Sequence, residues 1–412
     1  MEGDREAGRL IDSSHLEVGI VGAGIAGTTL AIALKQSGLA VRLYDVPVAE
    51  PRSAAPLLLT SNGTRVLHAI GLKEPLAAIA LLPQFSTLRH ARTAFLLSQR
   101  PLGAFSEARY GAPDVLVDGA RLVQLLRDTA GAIGIPLETK SPVTGVDAGT
   151  AMLTFADGRQ VPHLAVAAAC GIPTDQEAPG LADLLNARTW SQPEDHIAIC
   201  AVGSRAEPVR DHDRFLNTWI ADGLVAVEEP MSPAGEDQPL ALTVLAPAEA
   251  FTDPGESPAA MLERMLEGTH PHLRTLLRDP RVERAWEPVA DIAEFWFAEK
   301  LVLLGGACHA HPGFPALNAS AALEDAWILS RMMERWEESP HEGFADYERF
   351  RQPRARRLRA FAEAERTTLT ERSTTAAWQR NLKWSLTSRF LPEIAMQRTD
   401  WLYGYDCIRG FA

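Results

Sequence analysis

The stretch Gly22-Ala23-Gly24-Ile25-Ala26-Gly27 has the residue types and spacing to hold a phosphate. It follows the apolar run Leu16-Glu17-Val18-Gly19-Ile20-Val21 and precedes Thr28-Thr29-Leu30-Ala31-Ile32-Ala33-Leu34, so it reads as strand, Gly-x-Gly-x-x-Gly, helix. Gly22 permits the tight turn, Gly24 lets the backbone approach a diphosphate, and Gly27 lets helix and strand pack closely. The unpaired N–H groups of Ile25, Ala26 and their neighbours at the helix start donate to the phosphates. Leu39-Ala40-Val41-Arg42-Leu43-Tyr44 reads as a second strand ending on Asp45, whose carboxylate accepts a hydrogen bond from a ribose hydroxyl. Dinucleotide binding is the chemistry this pattern points to. The competing reading is a tight βαβ turn that binds nothing.

The elements that position this stretch belong to a chain of 412 residues, long enough for a large core or two domains. Apolar residues make up 46% and charged residues 23%, ordinary for a soluble globular protein. The net charge of −13, from 40 basic and 53 acidic residues, argues against nucleic acid as a partner. No apolar run is long enough for a membrane helix, and Met1–Ser14 has no apolar signal core. The expectation is a cytoplasmic protein with a disordered tail over residues 1–15. The four cysteines are widely spaced with no C-x-x-C, which disfavours a zinc site or a disulfide framework. Cys170 and Cys308 read as small buried hydrophobes rather than reactive thiols.

Along the chain, Val46–Ser53 reads as a loop, and Asn62 as the N-cap of a helix stopped by Gly71. Asp118 caps a second helix with apolar spacing at Leu122, Leu125 and Leu126. Residues 144–155 form a hairpin, Asp157-Gly158 a turn, and Leu164–Ala169 a buried strand ending at Cys170-Gly171. Between 186 and 285 the character changes to strands at Ile197–Val202, Leu224–Val227 and Leu240–Leu245 with Pro-, Asp- and Gly-rich loops, followed by a helix at Ala260–Leu266. Phe215 and Trp219 in this region read as pocket walls or as core aromatics; His270 and His272, flanking Pro271, read as structural. A buried strand returns at Leu301–Leu304, then a helix at Ser320–Met333 whose first turns carry Glu324-Asp325, where acids suit the helix dipole. The arginines at 349, 351, 354, 356, 357 and 359 read as a solvated helix face.

Taken together, the Gly22–Gly27 stretch with Asp45, Thr269-His270-Pro271-His272-Leu273, Leu303-Leu304-Gly305-Gly306-Ala307-Cys308-His309 followed by Leu323-Glu324-Asp325-Ala326, and the ending Trp401-Leu402-Tyr403-Gly404-Tyr405-Asp406 resemble the single-component FAD-dependent aromatic hydroxylases of the salicylate and p-hydroxybenzoate type. The resemblance covers nearly the whole chain. It implies an α/β fold: a Rossmann-like FAD-binding domain in two segments, 16–185 and 286–345. Inserted in it is a mostly antiparallel β-sheet substrate domain over 186–285 with parts of 80–110, and helices follow over 346–412. The departures are Cys170-Gly171 for the family's Asp-Gly and Gly305-Gly306 for its Gly-Asp. The family's second-helix arginine falls near Gly119, with Arg121 the nearest basic residue. The family's Gln-Gly is Leu317-Asn318, and its ring-side Pro is displaced to give Pro312-Gly313-Phe314. Each lost charge-assisted hydrogen bond weakens binding by about 1.5–3 kcal/mol, so FAD is expected to bind more weakly than is usual, or not at all.

The resemblance further implies a reaction in which NAD(P)H reduces FAD and a flavin hydroperoxide hydroxylates or epoxidises an aromatic or polyketide-like small molecule, in a monomer or homodimer. Cofactor contacts then fall to Gly22, Ala23, Gly24, Ile25, Ala26, Gly27, Asp45, Arg121, Gly305 and Gly306. His309 and His311 lie in the loop beside the flavin, where either is a general base or a packed histidine; Phe314 lines the substrate pocket or the core. Two alternatives stay open: a redox-neutral cyclase, isomerase or dehydratase on the same scaffold, and a non-catalytic small-molecule-binding protein.

Overall fold

The computed structural model describes residues 17–45, 56–170, 190–191, 196–205, 215–231, 239–250, 255–285, 289–290, 292–309, 315–336 and 339–411. The expected tail and the Val46–Ser53 loop lie outside them. The first layer is a six-stranded sheet. Its core strands are β1 (Val18–Val21), β2 (Val41–Tyr44), β3 (Val166–Ala168) and β4 (Leu301–Leu303), and its order is Phe297–Ala298, β4, β3, β1, β2, Leu137–Glu138. All pairings are parallel except that of Phe297–Ala298 with β4. Helices on both faces bury these strands, which is why they read as unbroken apolar runs rather than alternating ones.

The covering helices that matter for the site are α1 (Ile25–Gln36), α2 (Gly119–Ala132) and α3 (Pro315–Arg335). Leu30, Ile32 and Leu34 of α1 share one core with Leu122 and Leu126 of α2 and Leu323 and Ile328 of α3. Asp118 caps α2 as expected, its carboxylate accepting from Arg121 N at 2.9 Å. Asn62 is not a cap. The helix Ser61–Ala69 is entered from Thr60, and Asn62 sits inside it, where its amide donates to Glu324 at 2.7 Å. The helix α3 starts at Pro315, five residues before the expected Ser320, because a proline at the first helical position has no N–H to lose. Glu324-Asp325 therefore lies in mid-helix, and the dipole argument for it fails.

The second layer is a seven-stranded sheet in the order Leu277–Ala285, His196–Arg205, Pro239–Pro247, Leu224–Pro230, Phe215–Ala221, Phe85–His90, Leu96–Pro101. Every pairing is antiparallel except that of Phe215–Ala221 with Phe85–His90. Its outer face packs under the helix Pro258–Leu266 through Trp219, Ala226, Leu242 and Val244. Its inner face, through Leu97, Ile220 and Val225, meets Leu369 and Trp384 of the C-terminal helices α4 (Pro340–Leu369) and α5 (Thr374–Phe390). On that same face Leu216 packs with Leu58, Leu81 and Leu116 of the first layer, so the two layers join there. A last helix, α6 (Pro392–Tyr403), lies beyond α5. No helix among the described residues is long and apolar enough to cross a membrane.

Candidate active site

The glycine stretch turns sharply between β1 and α1. Gly22 has φ +104°, and a Cβ built on Gly27 would stand 1.9 Å from Gly22 O, so no larger residue fits at 27 without moving the turn. Gly24 is different: no heavy atom lies within 4 Å of the place its Cβ would take. It is also the N-cap of α1, with no side-chain cap and no acidic residue in the first turn. The helix thus offers open space and unpaired N–H donors with the positive end of its dipole, which is what a diphosphate requires. The residues fit the diphosphate of FAD on this count.

Asp45 stands at the end of β2, where its N–H donates to Glu138 O at 3.0 Å. Its carboxylate is ion-paired to Arg127 of α2, whose Nε also donates to Ala23 O at 2.9 Å. One guanidinium therefore ties the acid to the glycine turn. Arg121 does not do this. It is exposed at the start of α2, and the arginine that reaches the turn lies nearly two helical turns further on.

The turn after β4 is held by a buried ionic network. Gly305 N donates to Asp325 Oδ2 at 3.0 Å, and His309 Nε2 meets the same oxygen at 2.6 Å. Arg351 of α4 donates through Nε to Asp325 Oδ1 at 2.7 Å. Its Nη1 stands 2.7 Å from Glu324 Oε2, close enough for an ion pair though angled away from a hydrogen bond. Arg354 completes Glu324 with two contacts of 2.7 Å. Arg351 and both acids are 0% exposed. Burial pushes the two carboxyls up, but the arginines, and for Asp325 also His309, more than offset it and hold both below the ordinary carboxylate range. Two of the arginines taken for a solvated face thus point inward. Gly306 is half-buried, and no acid occupies its place in the turn.

Cys308, His309 and Asp325 offer atoms within 4.8 Å of one another, close enough for a metal ion. Asp325 is already committed to Arg351, His309 and Gly305 N, so the cluster serves the turn. His309 is 1% exposed and lies against Trp296, with ring centroids 5.6 Å apart. That enclosure suits an anchor of the turn and not a base that meets a substrate. Cys308 is likewise sealed, its thiol donating to Gly305 O at 3.4 Å.

No protein-family model matches the chain. It is 27% identical over 375 residues to the 3-amino-4-hydroxybenzoate 2-monooxygenase of Streptomyces cremeus, covering 84% of this chain and 87% of that one. It is 28% identical to the 6-hydroxynicotinate 3-monooxygenase of Pseudomonas fluorescens, with 84% and 90% covered. Among solved structures, Klebsiella pneumoniae HpxO complexed with FAD and uric acid superposes with a TM-score of 0.77 at 18% identity, over 93% of this chain and 96% of that one. Along most of its length the chain is thus similar in sequence to aromatic monooxygenases, and it shares the fold of a flavin-containing hydroxylase.

In this chain the seven-stranded sheet does not present the aromatics expected of it. Trp219 is 4% exposed on the outer face, stacked with His270 and His272 and under the helix Pro258–Leu266. Phe215 lies four residues away on the same outer face, edge-on to Phe85. Both are turned from the layer that carries the glycine stretch, because strand alternation puts Leu216 and Ile220 on the inner side. His311 and Phe314 lie outside the described residues.

The residues missed in the sequence are acids and arginines. The strand expected to stop at Val227 runs on to Pro230 and takes Glu228 and Glu229 into the sheet. Glu228 faces outward, bonded by Arg205 at 3.2 Å and His272 at 3.3 Å. Burial pushes its carboxyl up, but His272, Arg205 and Trp219 outweigh that and hold it low. Glu229 faces inward. The signal for both was period two continued through Glu228-Glu229; the signal for Arg127 was its place next to buried Leu126 on α2.

Proposed function

We propose that the protein is an FAD-dependent monooxygenase that inserts one oxygen atom of dioxygen into a hydroxylated aromatic ring, with NAD(P)H as reductant. The observation that carries this reading is the uncapped, unfilled N-terminus of α1 at Gly24, with Asp45 held beside it by Arg127. FAD, when bound, supplies electron transfer from the nicotinamide and oxygen transfer to the ring. The chain supplies the rest. The N–H groups of Ile25 and Ala26 bind the diphosphate, and Asp45 accepts from the ribose. The Leu304–Cys308 turn, fixed by Asp325 and His309, positions backbone against the cofactor. The apolar inner face of the sheet, around Leu216 and Val227, excludes water from the ring. The named activities of the two curated relatives support a small hydroxylated aromatic acid or its nitrogen heterocycle as substrate. Gly306 leaves the ribityl side without an acid, so FAD is held more weakly than a full set of contacts would hold it.

The test is a visible spectrum of the purified protein after FAD is added and the sample desalted. NADPH consumption with 3-amino-4-hydroxybenzoate or 6-hydroxynicotinate as probe follows. Retained flavin and probe-stimulated NADPH consumption are expected. A colourless protein, or one whose NADPH consumption ignores every hydroxylated aromatic offered, overturns the reading.

A further inference from the structure

We propose that Glu229 is the catalytic base of this enzyme, taking the proton from a ring hydroxyl or ring N–H of the substrate and so selecting phenols and hydroxylated azines. This rests on the oxygenase reading above. Glu229 follows Val225 and Val227 on the inner face of its strand, the face that meets the C-terminal helices. The register pairs Asn217 with Glu228, so Glu229 lies beside Leu216, and Leu216 packs on Leu58, Leu81 and Leu116 where the sheet joins the cofactor layer. The acid therefore sits at the seam between the two layers.

Nothing in the fold uses it. Among the described residues no hydrogen bond or ion pair reaches its carboxyl, and it is half-buried, so a ligand has access. Its neighbour Glu228 is sealed and fully partnered on the other face. Burial alone pushes the Glu229 carboxyl up to about 8. The charged groups that share its level of the inner face are Arg100, reached across Leu216 and Ser86, and Arg281, reached across Ala241 and Val202. Arg100 is engaged with the Tyr403 ring at 4.4 Å. Arg205 and His272 serve Glu228 on the opposite face. An enclosed carboxyl without a partner costs stability, and a fold keeps it where a ligand completes it.

The step is a proton transfer. The substrate O–H bond breaks, its electron pair stays on the phenolic oxygen, and an O–H bond forms on Glu229. The ring gains electron density ortho and para to the oxygen, where an electrophilic oxygen adds. A base whose pKa lies close to that of the phenol and to the working pH is effective in this role.

The experiment uses the FAD-loaded protein and 4-nitrophenol, buffered above its own pKa so that the free probe is the yellow anion. The phenolate shares the site with Glu229 while that carboxyl holds a proton, which is the state that proton transfer produces, and is repelled once the carboxyl has lost it. In the wild type, binding of the anion should therefore weaken about tenfold per pH unit above about 8. With Glu229→Gln, which mimics the protonated acid, binding should stay level over the same range, and Glu229→Asp restores part of the pH dependence. A turned-over substrate should lose about 10²–10⁴-fold in kcat/KM with Glu229→Gln. Binding of the anion that ignores pH in the wild type, no probe binding, or the same pH dependence in Glu229→Gln overturns the proposal. Failure of the oxygenase reading appears separately, as absent FAD retention or absent NADPH consumption in the wild type.

Discussion

Replacing Arg127 by alanine should weaken FAD binding by about an order of magnitude, and replacing Arg121 should not. Arg127 makes two contacts that matter, one to the Asp45 carboxylate and one to Ala23 O at 2.9 Å. It does three things at once for a bound diphosphate. It holds Asp45 facing the ribose, it fixes the glycine turn, and it cancels the negative charge that Asp45 would otherwise set near the phosphates. A charge-assisted hydrogen bond contributes about 1.5–3 kcal/mol. The Arg127 side chain is 29% exposed, so solvent screening takes its effect to the low end. A loss of about 1.4 kcal/mol is tenfold in Kd. Arg121 gives α2 only its backbone N–H, which alanine keeps. The assay is a fluorescence titration of FAD into apoprotein for the wild type, Arg127→Ala and Arg121→Ala. Unchanged or tighter binding in Arg127→Ala refutes the reasoning, since it means the arginine competes with the ribose for Asp45 instead of presenting it.

Three further outcomes are expected. Gly306→Asp adds the acid that this turn lacks and should tighten FAD by about tenfold, one charge-assisted hydrogen bond; an unchanged Kd shows that the ribityl contact is not what limits affinity. Arg351→Met leaves Asp325 to His309 and Gly305 N, and Glu324 to Arg354 and Asn62, so two buried carboxylates are each left short of one cation. Urea unfolding should show a loss of about 3 kcal/mol, the low end for a broken buried pair because these partners remain, and a loss below about 1 kcal/mol counts against the network. Acid should unfold the protein through the same two groups: their folded carboxyls sit below the ordinary range, so their contribution is complete above about pH 4–5 and is lost as pH falls through the folded values. Urea midpoints measured down to about pH 3 check this, and Arg351→Met should show the shallower acid dependence.

What was legible in the sequence is what is local. The glycine turn, the Asp118 cap and the hairpin Val143–Asp147 with Met152–Phe155 depend on neighbours a few residues away, and they fold as their residues dictate. What was not legible depends on which way a long element faces. Arg121 and Arg127 lie on one helix, and only the packing of Leu122 and Leu126 against α1 decides which one meets the glycine turn. The arginine run shows its charge but not Glu324 and Asp325 across from it. Trp219 and Leu216 differ by one step of strand alternation, and the sequence does not say which face a helix will cover. The pair Glu228-Glu229 reads as the end of a strand until the register carries both acids inside, one to partners and one to none.

The buried arginines of α4 have a bearing on how the molecule is made. A ribosome delivers Glu324 and Asp325 before it delivers Arg351 and Arg354. Until α4 has emerged, Asn62, His309 and the two acids are synthesised but cannot be sealed, because burying carboxylates without their cations is strongly unfavourable. The Rossmann-like half therefore closes late, after most of the chain has left the ribosome, although its first strand is among the earliest segments made. A chain that ends within α3 lacks both arginines and has no cation from α4 with which to bury these two acids.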